Sequence, residues 1–239
     1  MKKNNLEYYL NKCLENINVE VLTYIIHIIH FSGKETKEKI RKFLWQHRNN
    51  NNILFLRAWL YDNNNKYSKA IEYYTKSAEG GNIMALNNLG FIYEQGKGSD
   101  INYDKAREYY LKGANNKNSE SCNNLGNLYL RGNGVMKDYS KAIEYYGLSL
   151  EYDPDNVSAL TNLGFAYQTI EDYNKAVEYY TIAAAKKGTF AMWNLGNLYE
   201  FGIGVKTDKQ IALIWYEGAA ELGDEMASQK VKELNKYNK

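Results

Sequence analysis

The chain has 239 residues, enough for one or two ordinary domains, and its 44% hydrophobic and 24% charged residues are typical of a globular protein that buries a core. Its 30 basic and 28 acidic residues leave a net charge of +2, which argues against a long-range field that would attract nucleic acid or anionic lipid. Two cysteines, Cys13 and Cys122, are too few for a disulfide framework, and we expect a cytoplasmic protein.

Residues 1–50 are predicted to form an N-terminal helical segment, with three helices at 5–15, 18–31 and 35–48. The apolar stretch within the second helix falls short of the roughly 20 residues that a membrane span needs, so no membrane partner is expected. Polar Asn4 and Asn5 stand where a signal peptide would be apolar, and no cleaved segment is predicted. The last two helices are either a divergent repeat that caps the array or a surface for homo-oligomerisation.

Residues 51–223 contain an internal repeat. The pattern Tyr-x-Lys-Ala-x-Glu-Tyr-Tyr begins at four positions and has a weaker fifth copy: Tyr67, Tyr103, Tyr139, Tyr173 and Lys209. Between these copies the pattern Asn-Leu-Gly-x-x-Tyr begins at Asn88, Asn124, Asn162 and Asn194, and a worn version occupies residues 56–61. Both patterns have the spacing of one helix face, so the repeat predicts about five helix pairs.

Four glycines recur in the middle of the predicted first helices: Gly90, Gly126, Gly164 and Gly196. A glycine inside a helix costs about 1 kcal/mol relative to alanine, so its repetition indicates that the second helix of each pair approaches closely there. Alanines and tyrosines recur on the second helices, as at Ala142 and Tyr146. We expect the glycines to be buried against those second helices.

The turns have their own pattern. The predicted second helices begin with residues that can cap free amides: Asn102, Asp138, Asp172 and Asp208. They end at glycines that suit the left-handed conformation past a helix end: Gly80-Gly81, Gly188 and Gly223.

These motifs resemble the tetratricopeptide and Sel-one-like repeat families. Gly164 precedes Ala176 by 12 residues, which is similar to the tetratricopeptide spacing, whereas Gly126 precedes Ala142 by 16, which resembles the longer Sel-one-like form. The resemblance implies a hybrid array with short turns in units one and four and long turns in units two, three and five. It implies an all-α, right-handed α-solenoid of helix-turn-helix repeats, with residues 224–239 as a C-terminal capping helix.

No catalytic or metal-binding motif stands out. His27 and His30 lie three residues apart, but no further ligand has matching spacing, and we interpret both as part of an apolar stripe. The Gly-x-Gly pairs recur inside the repeat and follow no predicted strand, so we interpret them as turns rather than phosphate loops. We therefore expect no catalytic residue, no metal and no cofactor.

The resemblance also implies a concave groove lined by the first helices of the pairs. The positions that would contact a partner there are Asn87, Asn88, Phe91, Glu94, Asn123, Asn124, Asn127, Arg131, Asn162, Phe165, Phe190, Trp193, Asn194, Asn197 and Glu200. Side-chain amides both donate and accept hydrogen bonds, so they suit the backbone of an extended peptide, and separated aromatic rings suit its side chains. Trp193 has no aromatic counterpart at the matching positions of the other units, which makes it the predicted hot spot, and the alternative is that it packs against the neighbouring unit.

The predicted function is a non-catalytic protein-protein interaction scaffold that binds a peptide or helix of a partner in this groove. Nucleic acid is not expected, since Glu94, Glu120 and Glu200 outweigh Arg131 among the groove positions. Two alternatives stay open at this point: an enzyme with an unrecognised site, and a self-associating oligomer, either of which could involve the N-terminal helices.

Overall fold

The structure is a computed structural model that describes residues 5–15 and 19–237. These residues form fourteen helices and contain no β-strand, which confirms the predicted all-α class. The chain divides into two compact units, Met1–Asn116 and Lys117–Lys239. Every described helix has between 11 and 14 residues, and none is long and apolar enough to cross a bilayer.

The described part of the first unit contains seven helices: α1 (Asn5–Glu15), α2 (Val19–Phe31), α3 (Lys34–Gln46), α4 (Asn51–Asn63), α5 (Tyr67–Glu79), α6 (Ile83–Gln95) and α7 (Tyr103–Asn115). Two helix pairs, α4 with α5 and α6 with α7, form its repeats, and α5 also packs against α6. The three helices predicted in the N-terminal segment are present. However, α4 packs against α1 and makes little contact with α3, unlike the regular packing of one pair on the next.

The described part of the second unit also contains seven helices: α8 (Ser119–Arg131), α9 (Tyr139–Tyr152), α10 (Val157–Thr169), α11 (Tyr173–Ala185), α12 (Thr189–Phe201), α13 (Lys209–Glu221) and α14 (Glu225–Tyr237). Its pairs are α8 with α9, α10 with α11, and α12 with α13, and α14 packs on α13. Successive pairs are joined because α9 packs on α10 and α11 on α12. The middle first helix, α10, contacts both α8 and α12.

The turns inside the pairs have the two predicted lengths. Short turns occupy residues 64–66 and 170–172, and long turns occupy residues 96–102, 132–138 and 202–208. Each long turn contains two glycines with positive φ, as at Gly132 (76°) and Gly134 (65°). Glycine adopts this region without the steric penalty of a Cβ atom, so the Gly-x-Gly pairs are turn residues, as the sequence predicted.

The predicted N-caps are confirmed. Their side-chain oxygens accept hydrogen bonds from backbone amides in the first turn of α7, α9, α11 and α13, respectively: Asn102, Asp138, Asp172 and Asp208. The predicted C-terminal glycines need a correction. Gly81 and Gly223 do have positive φ, but Gly80 (φ −80°) and Gly188 (φ −71°) do not.

At the α11–α12 turn, Lys187 takes the left-handed conformation instead, with φ 66°. Gly188 is the N-cap of α12, and a Cβ atom there would lie 2.9 Å from the Ala183 carbonyl oxygen of α11 and 2.9 Å from a Val157 side-chain carbon of α10. The glycine at this position therefore serves a close approach between helices, and the preceding lysine completes the turn. Sequence alone cannot separate these two uses of glycine.

In each of the four helix pairs with a recurrent glycine, a tyrosine ring of the second helix packs directly against that glycine. A Cβ atom at Gly126 would lie 2.5 Å from Tyr146 Cε1, and the nearest ring atom would lie at 2.5–2.7 Å in the pairs Gly90–Tyr110, Gly164–Tyr180 and Gly196–Tyr216. These four tyrosines, and Tyr74 of the first pair, have no exposed surface. The predicted burial of the glycines is confirmed, and the tyrosine ring is the group that requires them.

We expect Gly126→Leu to lower the free energy of unfolding by about 1–3 kcal/mol, because the added side chain would overpack the Tyr146 ring. Gly147 provides the control, since it lies in α9 with no neighbour within 4 Å of a Cβ atom. Gly147→Ala should stabilise the protein by about 0.5–1 kcal/mol through helix propensity. Urea unfolding of both variants measures this, and a Gly126→Leu protein as stable as the wild type would contradict the contact.

Candidate functional site

A cleft of about 630 Å³ opens on the first helices of the second unit. Three consecutive first helices supply most of its walls, and the turn before α12 supplies the rest. The lining residues are Asn123, Asn127, Arg131, Val157, Ser158, Thr161, Asn162, Phe165, Lys187, Gly188, Thr189, Phe190 and Asn194. Seven of the predicted groove residues are thus brought together here: Asn123, Asn127, Arg131, Asn162, Phe165, Phe190 and Asn194.

The asparagines of the cleft are partly committed to the fold. Asn162 Nδ2 donates to Asn123 Oδ1 at 2.9 Å and to Asn127 Oδ1 at 3.2 Å, which ties α10 to α8. Asn127 Oδ1 also accepts from the Tyr146 hydroxyl at 2.8 Å. Within the described residues, Asn162 Oδ1, Asn127 Nδ2 and the whole carboxamide of Asn194 remain without a hydrogen-bond partner. These groups are the ones that a ligand in the cleft can use.

Two aromatic rings and two cations complete the cleft. Phe165 and Phe190 are 46% and 73% exposed, so both rings present apolar surface to solvent within the cleft. Arg131 is exposed at the end of α8, and Lys187 lies in the turn before α12. No carboxylate is among the lining residues. The cleft is therefore cationic and amide-rich, with apolar rings at its surface.

Two acidic groove residues, Glu94 and Glu200, accept hydrogen bonds from buried tyrosines. The buried Tyr110 hydroxyl donates to Glu94 Oε2 at 2.7 Å, and the Tyr216 hydroxyl donates to Glu200 Oε2 at 2.8 Å. Lys230 of α14 pairs with Glu200 at 2.9 Å. Burial, followed by the nearby Asp153, raises the pKa of Glu120. The predicted groove positions have more acidic than basic residues, but none of these acidic residues lines the cleft.

The tyrosine hydroxyls follow one rule across all five pairs. In four pairs a side chain four residues after the glycine position, which is Ala58 in the first pair, meets the hydroxyl, and in the pair of Tyr146 the fourth position is leucine and the side chain one residue after the glycine meets it. In chain order these side chains are Asp62, Glu94, Asn127, Gln168 and Glu200. The Tyr216 hydroxyl also donates to Asn197 Oδ1, one residue after Gly196, at 3.1 Å. Burial raises the pKa of every one of these tyrosines, so each hydroxyl remains a neutral donor.

The remaining predicted positions of the second unit lie elsewhere. Trp193 is half-buried, with its ring centroid 5.1 Å from that of Tyr216, and it belongs to the apolar cluster that includes Leu234 of α14. Asn197 Nδ2 donates to the Trp193 carbonyl at 3.0 Å, and Asn124 is half-buried on α8. Trp193 therefore packs on Tyr216 and does not line the cleft, and its role as a hot spot stays a prediction.

Two of the predicted positions of the first unit, Asn87 and Asn88, contribute to its packing. Asn88 Nδ2 donates to the Tyr74 hydroxyl at 3.0 Å, and Asn87 is only 8% exposed. Phe91 is exposed, with Lys97 Nζ 4.9 Å from its ring centroid.

The two histidines singled out in the sequence do not form a site among the described residues. His27 is exposed against Phe31, and the His30 side chain lies outside the described residues. Among the residues that the structure describes, no group of three or more His, Cys, Asp or Glu side chains is placed to hold a metal ion. Cys13 and Cys122 are buried and free, and burial raises their pKa to about 12 and about 11, respectively.

Lys187 is absent from the positions that the sequence predicts for the groove, because those positions all lie in the first helices. A signal was available, since the lysine directly precedes Gly188 at the end of a second helix. The turn that follows a second helix reaches the face of the first helices, and its side chains therefore belong to the same cleft.

Different segments of the chain match two repeat families. Residues 83–118, 119–151 and 189–224 match the Sel1 repeat, and residues 52–79 and 145–178 match the tetratricopeptide repeat. The Sel1 segments contain the three long turns, and the tetratricopeptide segments contain the two short ones. The predicted hybrid array is confirmed.

Solved structures agree with these matches. The chain is 32% identical to a protective antigen of uropathogenic Escherichia coli strains that displays an SLR fold, with a TM-score of 0.76 over 97% of this chain and 52% of that one. The chain thus spans about half the length of that antigen. A Sel1 repeat protein from Oxalobacter formigenes is 26% identical, with a TM-score of 0.68 over 89% of this chain and 88% of that one.

PilF of Pseudomonas aeruginosa shares the fold, at 19% identity and a TM-score of 0.65 over 95% of this chain and 98% of that one. No curated protein matches the chain.

The hydroxyl rule predicts a specific double-mutant cycle. We expect Glu94→Leu to destabilise the protein by about 1–3 kcal/mol, because it leaves the buried Tyr110 hydroxyl without an acceptor. Adding Tyr110→Phe removes the orphaned hydroxyl and should recover most of that loss. Thermal or urea unfolding of the two single variants and the double variant measures the coupling. Additive losses would show that the hydrogen bond does not matter.

Proposed function

From the premise that this chain is an all-helical repeat protein with Sel1 and tetratricopeptide repeats, we propose that it is a non-catalytic scaffold that binds an extended peptide segment of a protein partner. The binding site in this proposal is the cleft formed by α8, α10 and α12. The observation that carries it is the coexistence, in one cleft, of exposed phenylalanine rings and carboxamide groups without partners among the described residues.

The carboxamides suit a peptide backbone. An extended peptide presents an N–H donor and a C=O acceptor at every residue, and it has no intrachain hydrogen bonds of its own to satisfy them. Asn127 Nδ2 can donate to a peptide carbonyl, Asn162 Oδ1 can accept from a peptide amide, and Asn194 can do both. Because the other atoms of Asn127 and Asn162 are held by Tyr146 and by each other, these side chains are already ordered before binding.

The phenylalanines suit an apolar anchor. Phe165 projects from α10 and Phe190 from the first turn of α12, and both line the same cleft. Burying such rings under a partner releases the water that covers them, and aromatic anchors commonly dominate the energy of an interface.

Charge sets the class of peptide. Arg131 and Lys187 line the cleft without a lining carboxylate, so a peptide rich in lysine or arginine is disfavoured and one with an apolar anchor beside an acidic residue is favoured. Two cations in a cleft of about 630 Å³ do not form the row of cations that follows a phosphate backbone. The proposed partner is therefore a protein rather than a nucleic acid.

The chemistry of the buried groups supports a role without catalysis. A raised pKa keeps the thiols of Cys13 and Cys122 protonated, and a protonated thiol is a poor nucleophile. The tyrosine hydroxyls are held by side chains of the fold. The two free thiols also agree with the cytoplasmic location that we propose from the sequence.

We expect Phe165→Ala combined with Phe190→Ala to reduce partner capture at least tenfold while the melting temperature changes little, since both rings are exposed. Affinity capture from native cell extract, with quantitative mass spectrometry and a parallel melting curve, measures both effects.

The matched control is Ile182→Ala with Ile214→Ala, which removes two exposed apolar side chains of the same unit outside the cleft. Equal loss of the partner in the test and control variants, or undiminished capture by the test variant, would contradict the proposed site. A solution mass that falls from dimer to monomer in the test variant would identify a second copy of the chain as the occupant.

A further inference from the structure

A second cleft, of about 850 Å³, opens between α3 and α4 in the first unit. Elsewhere within each unit the second helix of one pair packs on the first helix of the next, as α5 does on α6, but α3 makes little contact with α4. The side chains of α4 that line the cleft include Arg57, Leu60 and Tyr61. None of these three residues is a predicted groove position or lines the cleft on α8, α10 and α12, so this cleft is separate from the proposed peptide site.

The cleft has an apolar floor and an aromatic rim. Ile29, Leu44 and Leu60 contribute aliphatic surface, and Leu44 is only 8% exposed. Trp45 lies at the rim with 62% of its surface exposed, and the Arg48 guanidinium lies 4.9 Å from its ring centroid. A cleft of this volume with apolar surface at its base can accommodate one or two aliphatic side chains.

The charges of the cleft are mostly of one sign. Arg41, Lys42, Arg57 and Lys66 line it, against the single carboxylate of Glu38. None of these four cations forms an ion pair with a described residue. The first unit as a whole has 17 basic and 12 acidic residues, whereas the second has 13 basic and 16 acidic. The excess of positive charge in the protein is thus concentrated in the unit that contains this cleft.

We propose that the cleft binds an acidic peptide segment of a partner protein, with an aliphatic side chain on the floor and carboxylates beside the cations. Carboxylates complement Arg41, Lys42, Arg57 and Lys66, and guanidinium groups bind them in bidentate geometry. This site is independent of the cleft on α8, α10 and α12, and either can exist without the other.

The shape of the cleft favours a peptide over other anions. A nucleic acid offers phosphates but no aliphatic side chain for the floor formed by Leu44 and Leu60. An anionic membrane would need several apolar side chains that protrude into the bilayer, whereas Ile29, Leu44 and Leu60 are buried or half-buried and Trp45 is the only exposed apolar side chain of the lining. Only a polypeptide combines a carboxylate-rich segment with a side chain that reaches the base.

A short synthetic peptide tests the proposal on the full chain. The probe is a fluorescein-labelled heptapeptide with leucine at its centre and glutamate at the other six positions, and the matched probe has glutamine in place of glutamate. Fluorescence anisotropy measures binding, and a change in tryptophan emission that is lost in Trp45→Phe provides a second signal from the rim. We expect the glutamate probe to bind at least tenfold more tightly than the glutamine probe, with an affinity that falls as salt is added.

Charge reversal locates the site. Arg41→Glu with Lys42→Glu should weaken binding of the glutamate probe at least tenfold. Lys34→Glu with Lys37→Glu makes the same change in net charge on the same helix, outside the cleft, and should alter binding less than twofold. Circular dichroism melting curves of both double variants establish that each is folded.

Several results would overturn the proposal. They are equal losses in the two charge-reversal variants, equal binding of the glutamate and glutamine probes, and no binding of either. Tighter binding of phosphatidylserine vesicles or of a single-stranded oligonucleotide than of the peptide would also overturn it. The variant with Phe165→Ala and Phe190→Ala should bind the glutamate probe as the wild type does, and its failure to do so would assign the probe to the other cleft.

Discussion

The contact between a buried tyrosine ring and a glycine is the constraint on which the repeat depends. In four pairs the ring fills the space where any Cβ atom would stand, so it sets the distance between the two helices. The same contact determines where the hydroxyl emerges, and an amide or carboxylate of the first helix meets it there. A long or short turn can then join the two helices without changing their packing, which explains how Sel1 and tetratricopeptide repeats alternate in one chain.

This constraint decides which polar side chains of the groove are available to a ligand. Glu94 and Glu200 look like charged recognition positions, yet their carboxylates accept from Tyr110 and Tyr216. Asn127 serves both purposes, because its oxygen accepts from Tyr146 while its Nδ2 group stays open to the cleft. The binding surface that results is one whose polar groups are positioned in advance by the packing beneath them, and such ordering reduces the entropy lost on binding.

The periodic features were predictable, and the departures from the period were not. The helix pairs, the two turn lengths and the N-caps follow from spacings that recur several times. The roles of single residues depend on contacts between segments distant in sequence. Gly188 therefore proved to serve a close helix approach, and Trp193 packs on Tyr216. The gap between α3 and α4 has the same origin, because nothing periodic in residues 1–50 specifies how α3 meets the array.

The most direct test of the scaffold role is photo-crosslinking inside living cells. Benzoylphenylalanine at position 190 would place the reactive group in the cleft of the second unit, and the same group at position 214 would place it on an exposed site of α13 away from the cleft. We expect one abundant crosslinked protein from position 190, joined through a peptide with an apolar side chain, and none from position 214. The same crosslinks from both positions, or none from position 190, would contradict a partner in this cleft.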